Sequence, residues 1–339
     1  MKHLRQALAE LAEGRDLDST LMEQSMAEIM AGQADPAQIG GFLMALRVKG
    51  ETPPEIAAGA RVMRRLAAAV EVDPEGLTDI VGTGGDGAGL FNVSTASAFV
   101  AACAGVRVAK HGNRSVSSRS GAADVLEAAG CRLDLSPSQV AQLIDELGIG
   151  FLFAPAHHQA MKHAIGPRKA LGLRTLFNLL GPLTNPAGAP HQVLGVFNAD
   201  LVRPMAEVLA ELGSVHVMVV HSEDGLDEIS PVAPTRVAEL VDGAIREWVL
   251  DPAEFGIELD SLGALEVADA EASLALIRQA LGGHPGPAAD MIALNAGAAI
   301  HVGAQAASLA EGIERARQVL MSGQALKRLE AYAERSRQL

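Results

Sequence analysis

The stretch Asp79–Gly105, DIVGTGGDGAGLFNVSTASAFVAACAG, decides how the chain folds. A short apolar run leads into five glycines and then into an Ala-rich segment with helical spacing. Strand, glycine turn and helix in that order open an α/β unit. Gly82-x-Gly84-x-x-Gly87 matches a dinucleotide-binding fingerprint. That reading needs an acidic residue about 20 residues on, at the end of the next strand, to hold ribose hydroxyls. Here the next strand, VRVAK, ends in Lys110 and is followed by His111. The helix also starts late, near Ser94, with AGLFN interposed. A Walker A loop would carry Gly-Lys-Ser/Thr, which is absent. What remains is a wide loop whose backbone N–H groups can approach an anion, followed by NVST at a helix start. The helix terminus adds partial positive charge, and Asn92, Ser94 and Thr95 add hydrogen bonds. The segment reads as a phosphate or pyrophosphate cradle, with Ser94 or Thr95 also capping the helix. Asp86 would repel a bare phosphate, so its place in the loop suits a nearby metal ion or sugar hydroxyls.

Outward from this stretch the pattern divides. Residues 1–69 read as helices only. Asp18 caps STLMEQSMAEIMA, Asp35-Pro36 opens a second segment and Thr52-Pro53 a third, each with one apolar stripe. From Val72 onward, short apolar runs alternate with helical ones: VRVAKHG, GAADVLEAAG, SPSQVAQLIDELG, GFLFA, then HQVLGVF, LVRPMAEVLAELG and VHVMVVHS. This is the mark of a sheet covered by helices. VAELVDGAIREWVL predicts a hairpin turning at Asp242-Gly243, and the tail from about Ala270 is helical. Residues 157–186 break the alternation as a helical insertion cut by Gly-Pro at 166–167 and 181–182, suited to packing with the N-terminal helices.

At 339 residues the chain is long for one core, which predicts two domains. A formal net charge of −14 disfavours nucleic acid as a partner. Between Arg107 and Arg174, however, nine Lys/Arg stand against five Asp/Glu, a local surplus that suits a pocket for an anion. No apolar run is long enough to span a bilayer. Cys103 and Cys131 lie in apolar surroundings and read as free thiols of a reducing compartment. With no apolar signal core at the start, these features predict a cytoplasmic protein.

Three further constellations carry chemistry. KHGNRSVSS (110–118) is a second cationic, hydroxyl-rich loop at a strand end, beside the first. HSEDGLDEIS (221–230) follows another apolar strand and holds Asp227-Glu228, adjacent carboxylates of the kind that share Mg²⁺ with substrate phosphates. Arg168 lies in the insertion with His157, His158 and His163. Their spacing of five and six excludes a zinc helix, and the arginine suits a bidentate grip on a carboxylate.

Together these motifs resemble the anthranilate phosphoribosyltransferase family over almost the whole chain. GTGGDG (82–87), NVST (92–95), KHGNRSVSS and LGLRTLFNLLGPLTNP (171–186) come in that family's order and spacing, and GLDE (225–228) falls where its metal pair belongs. The resemblance implies an α/β fold of the nucleoside phosphorylase/phosphoribosyltransferase kind. A small all-helical domain (1–69 with 164–186) would join a homodimer. A large α/β domain (70–163 with 187–339) would hold a central, mostly parallel sheet flanked by helices. The implied substrates are phosphoribosyl pyrophosphate (PRPP) and anthranilate, with neither nucleic acid nor membrane as a partner. PRPP would contact Gly82, Gly85, Asp86, Asn92, Val93, Ser94, Thr95, Lys110, His111, Gly112, Asn113, Arg114, Ser115, Val116, Ser117 and Ser118. Anthranilate would be held by Gly82, Asn113 and Arg168, with His111 and His158 lining its route. Ser94, Asp227 and Glu228 would serve Mg²⁺, two ions per subunit. Two positions depart from the commoner pattern: Ala122 replaces a frequent serine, and Leu90 stands where a small hydroxyl residue is frequent. One lost hydrogen bond of this kind is worth about 1 kcal/mol. The alternatives are a pyrimidine nucleoside phosphorylase-like enzyme and a catalytically silent nucleic-acid-binding relative.

Overall fold

The computed structural model describes residues 2–114 and 120–339. The expected contacts at Ser115, Val116, Ser117 and Ser118 lie outside the described residues.

The chain begins with four helices: α1 (Lys2–Ala12), α2 (Ser19–Met30), α3 (Pro36–Lys49) and α4 (Pro53–Leu66). The expected caps hold. Asp18 accepts from Leu21 N–H at 2.8 Å, and Asp35 from Ala37 N–H at 2.8 Å. Glu55, fully buried, reaches back to Thr52 N–H (2.8 Å) and also accepts from Leu17 N–H and Lys49 Nζ, both at 2.9 Å. This carboxylate ties three segments together. Glu55→Ala leaves a buried amide and a nearly buried ammonium short of a partner. The expected cost is about 3 kcal/mol in urea unfolding, and a loss below about 1 kcal/mol would contradict the assignment.

Glu28 on α2 caps α1 from outside, accepting from Leu4 N–H at 3.0 Å and His3 N–H at 3.3 Å. Burial pushes this carboxyl up, but the two backbone donors win and hold it at about 2, below the ordinary 4.5. A depressed carboxyl contributes stability above its unfolded value and loses it as pH falls through the folded one. After solvent screening the contribution is about 1 kcal/mol, fading between about pH 5 and 2. Glu28→Gln should therefore flatten that part of the acid-unfolding curve. An unchanged curve would contradict the cap.

The remaining elements build one sheet and its covering helices. In chain order they are β1 (Leu77–Gly82), α5 (Val93–Cys103), β2 (Arg107–Gly112), α6 (Ala122–Ala128), α7 (Pro137–Leu147), β3 (Ile149–Phe153), α8 (Ala154–His157), α9 (Lys162–Leu171) and α10 (Leu176–Leu180). They continue with β4 (His191–Gly195), α11 (Val202–Glu211), β5 (His216–Ser222), β6 (Thr235–Val241) and β7 (Ala244–Leu250). Four helices close the chain: α12 (Ala270–Leu281), α13 (Pro287–Val302), α14 (Leu309–Met321) and α15 (Gln324–Gln338). The strand order is β3-β2-β1-β4-β5-β6-β7, with the first five parallel and the last two antiparallel. The β6–β7 turn has positive φ at Asp242 (51°) and Gly243 (75°), the primed turn that fits the twist of a hairpin.

Both faces of the sheet are buried, as parallel strands require. Val193, Met218 and Val237 face one core with α5 and α13, while Leu194, Val217 and Ala238 face a second core with α11 and the N-terminal helices. The chain passes β1, β2 and β3 in one direction, then returns to β4 on the other side of β1. The loops after β1 and β4 therefore diverge and open a crevice at the carboxyl ends of the strands.

The insertion departs from expectation at one place. Helix α9 is not cut at Gly166-Pro167 but runs through Pro167, and ends at Gly172 in a left-handed cap. One missing N–H and the ring clash are outweighed by packing, since α9 lies against α2 and α3. At Gly181-Pro182 the expected break occurs, as a 3₁₀ turn.

Candidate active site

The crevice is built around Asp227. This residue follows β5, and its carboxylate crosses to the glycine loop, where Oδ2 accepts from Gly84 N–H at 2.6 Å. A Cβ on Gly82 would lie 2.3 Å from that Oδ2, and one on Gly195 would lie 1.5 Å from the Asp227 carbonyl oxygen. The ends of β1 and β4 must therefore be glycine for Asp227 to sit between them. Gly195→Ala is expected to push Asp227 out of place and lower kcat/KM by about a hundredfold, with secondary structure retained. Near-normal turnover would contradict the placement.

The loop itself is shaped by glycines with positive φ at 84, 85, 87 and 89. Gly85 has a second constraint: its carbonyl accepts from Arg174 Nη2, and a Cβ there would meet the same guanidinium. Arg174 stacks on Phe197, 4.0 Å from the ring centroid, and so clamps the glycine loop to the segment after β4. Asp86 accepts from Ala88 N–H at 3.3 Å, a local turn contact. Leu90 pairs by backbone with Glu266, which fastens the far end of the loop.

The helix cap differs from expectation. Asn92, not Ser94 or Thr95, is the N-cap of α5, accepting from Thr95 N–H at 3.1 Å. Three hydrogen bonds to Asn92 explain its choice, because Ser273 Oγ also takes its N–H and its amide donates to the Ser120 carbonyl. Ser94 is thereby left with its hydroxyl facing Lys110, whose Nζ donates to Ser94 Oγ at 3.0 Å and to the Ile80 carbonyl at 2.6 Å.

Depth separates the expected contacts. Val93, Thr95, Lys110 and His111 are buried, so their side chains support the cradle from beneath. Burial pulls the Lys110 ammonium down to about 8, against the attraction of Asp79 and Glu228. His111 N–H donates to Asp79 Oδ1 at 3.1 Å, and Asn185 joins Asp79 to the Ala109 carbonyl. Asn113 is exposed at the loop after β2. Arg114 is exposed too, but its fork rests on Glu127 at 2.6 and 3.0 Å rather than facing the crevice. Gly112 is required locally, since a Cβ would lie 2.6 Å from the Phe151 ring.

Two carboxylates meet near Ser94. Asp227 is pushed up to about 6 by burial and then by Asp86. Glu228 lies deep in the crevice with a partly exposed side chain, and is raised well above its ordinary value by burial, Asp227 and Asp86. Ser94 N–H and Lys110 only partly offset this. Crowded anionic oxygens beside a hydroxyl are the donor set a hard cation takes. The turn that carries them is pinned by Asn295 of α13, which accepts from Ile229 N–H (3.0 Å) and donates to the Ile229 carbonyl (2.9 Å).

The insertion meets the end of β2 at a pair of imidazoles. His111 and His158 meet edge to face, 5.2 Å between centroids. Burial and then His158 and His157 pull His111 down to about 3, and burial and then His157 pull His158 to about 4, so both rings are neutral, and each keeps a buried Nε2 without a partner among the described residues. His157 instead bonds the Ala68 carbonyl at 2.8 Å and fixes the turn. Arg168 on α9 is half-buried over Phe177 at 5.2 Å, and no acidic side chain among the described residues pairs with it. His163 packs against Gly32 and takes no part.

Arg174, Asn295, Asp79 and Asn185 were not among the expected residues. Asp79 carried a visible signal, a carboxylate inside an apolar strand. Asn295 and Arg174 carried none beyond their polarity, because their partners are distant in sequence.

Residues 75–326 match the glycosyl transferase family a/b domain, and residues 5–67 its helical bundle domain. An anthranilate phosphoribosyltransferase from Thioalkalivibrio sulfidiphilus is 60% identical over 96% of this chain and 97% of its own. One from Cellvibrio japonicus is 58% identical over 98% of both. The crystal structure of anthranilate phosphoribosyltransferase from Thermus thermophilus superposes with a TM-score of 0.93 at 47% identity, covering 98% of this chain and 99% of that one. The Saccharomyces cerevisiae enzyme in complex with PRPP and Mg superposes at 0.91 with 30% identity, covering 99% and 98%. With fold, glycine loop and carboxylate pair in place along the same full length, the chain belongs to the anthranilate phosphoribosyltransferase family.

Proposed function

We propose that the protein transfers the phosphoribosyl group of PRPP to the amine of anthranilate. The products are N-(5-phosphoribosyl)anthranilate and pyrophosphate, the second step of tryptophan synthesis from chorismate. The observation that carries this is the pairing of two unlike sets of groups. An anion cradle with crowded carboxylates is joined by a pair of neutral imidazoles and by an insertion whose Arg168 has no acidic partner among the described residues.

The aromatic amine is neutral at pH 7 and needs no strong base before attack. It is a weak nucleophile, so the barrier falls mainly by stabilising the leaving group. Backbone N–H groups of the glycine loop and the start of α5 other than those of Gly84 and Thr95 would face the pyrophosphate, with Ser94 held in place by Lys110. Ser94, Asp227 and Glu228 would hold Mg²⁺, two ions per subunit. When bound, Mg²⁺ supplies positive charge that neutralises the departing pyrophosphate. Arg168, Asn113 and Gly82 orient anthranilate so that its amine lies behind the anomeric carbon, giving inversion there. His111 and His158 line the route, and their low proton affinity suits positioning rather than proton storage.

The reading extends to two domains, 1–69 with 164–186 and 70–163 with 187–339, and to a homodimer joined through the first. In support, four of the seven exposed large hydrophobic side chains among the described residues, Val48, Leu66, Ile165 and Leu173, lie in that helical part. A cytoplasmic site is supported by two free thiols, Cys103 and Cys131. No helix is long and apolar enough to cross a membrane among the described residues.

The test sets two donor–acceptor pairs against each other. With PRPP, Mg²⁺ and anthranilate, the protein should form the phosphoribosyl adduct, leaving no ribose label on the denatured chain. With thymidine and phosphate it should form no thymine. Phosphorolysis without transfer to anthranilate would overturn the proposal.

A further inference from the structure

We propose that His216, Glu239 and His301 form a second metal site, suited to Zn²⁺, at the end of the sheet away from the substrate crevice. Among the described residues they are the one group of three His, Cys, Asp or Glu side chains whose donor atoms all lie within 4.8 Å of one another. His216 opens β5, at the end opposite to Asp227, and Glu239 is its diagonal neighbour on β6. His301 stands in the last turn of α13, where the helix terminus favours positive charge.

The three donor groups converge on one point from two strands and a helix. His216 Nε2 and His301 Nε2 both point at Glu239 Oε1, at 2.8 and 3.1 Å, from rings nearly perpendicular to each other. The other faces of two of these groups are already engaged. Glu239 Oε2 accepts from Trp248 Nε1 at 3.2 Å, and His301 Nδ1 faces the Ala306 carbonyl at 3.3 Å. A carbonyl only accepts, so Nδ1 carries the proton and the Nε2 of a neutral His301 is a bare lone pair. A lone pair aimed at a carboxylate oxygen is repulsive unless a proton or a metal ion lies between them. An imidazole whose outer N–H is held by a backbone carbonyl is the usual second partner of a metal-bound histidine.

Size and donor type favour Zn²⁺. Four ligands at Zn–N and Zn–O distances near 2.0–2.1 Å lie about 3.3 Å apart, so the two nitrogen–oxygen separations of 2.8 and 3.1 Å need widen by only about half an ångström or less to admit the ion. Imidazole nitrogen suits zinc, whereas Mg²⁺ prefers an all-oxygen shell. A fourth position falls to water. The site joins two strands to α13, the helix whose Asn295 pins the Asp227-Glu228 turn.

The test uses the full-length protein stripped of metal. Zn²⁺ is titrated against a chromophoric chelator, and Co²⁺ is titrated for the visible absorption of a tetrahedral site. The Asp227→Asn/Glu228→Gln variant serves as background, because those carboxylates also bind divalent ions. The expected result is one Zn²⁺ per chain, bound more tightly than about 1 μM in both proteins. Affinity should fall more than about a hundredfold in Glu239→Gln and in the milder His301→Gln, with the cobalt spectrum lost. Zn²⁺ should also raise the Tm of the parent and not of these two variants. Binding that survives His301→Gln unchanged would overturn the proposal. So would a parent whose Tm does not respond to Zn²⁺, since the cluster would then hold a proton instead.

Discussion

Replacing Asp227 by Asn and Glu228 by Gln together is expected to abolish activation by Mg²⁺ and to lower kcat/KM by about a thousandfold. Both replacements keep shape and remove charge. The two carboxyls are raised in the protein, Asp227 to about 6 by burial and then by Asp86, and Glu228 by burial and then by Asp227 and Asp86. A raised carboxyl means that the charged form is disfavoured in the folded state, so at neutral pH both groups work against folding. The double variant should therefore be at least as stable as the parent while losing activity. This opposition distinguishes the assigned role from general damage. Mg²⁺-activated turnover near the parent level would contradict it, and so would a fall in Tm large enough to account for the lost activity.

The second large effect is at Arg168. Arg168→Ala should raise the KM for anthranilate about a hundredfold and leave the KM for PRPP nearly unchanged. The magnitude follows from a charge-assisted bidentate contact, about 3 kcal/mol, lost with its partner carboxylate left in a half-buried pocket. The guanidinium is already desolvated over Phe177 and has no acidic partner among the described residues, so removing it leaves no stranded carboxylate within the protein. Arg168→Lys should recover only part of the loss, because a point charge cannot reproduce the fork. Equal changes in both KM values would remove Arg168 from anthranilate recognition.

Much of this architecture is legible in the chain. The alternation from Val72 onward predicts the covered sheet, because parallel strands must be apolar on both faces. Asp18, Asp35 and Asp242-Gly243 mark their helix starts and hairpin through contacts only a few residues long. Local chemistry of that range is what a linear pattern records.

The parts that escape it depend on partners far along the chain. Pro167 reads as a break, yet α9 passes through it, because packing on α2 and α3 outweighs one lost rung. Asn92 outcompetes Ser94 and Thr95 as the cap because Ser273 and Ser120, on other elements, also bind it. Lys110 reads as an open cation but lies buried under Ser94, since depth is set by neighbouring strands. Gly82 and Gly195 are both needed by one residue, Asp227, which is remote from each in sequence. The three residues of the proposed zinc site fall on β5, β6 and α13, and no spacing along the chain unites them.

The most direct test of the central claim is pyrophosphate release from PRPP and Mg²⁺, measured with and without anthranilate. The account predicts release only when anthranilate is present, one pyrophosphate for each phosphoribosyl adduct formed. Release at the same rate without anthranilate, or none from a folded protein supplied with both substrates, would contradict it.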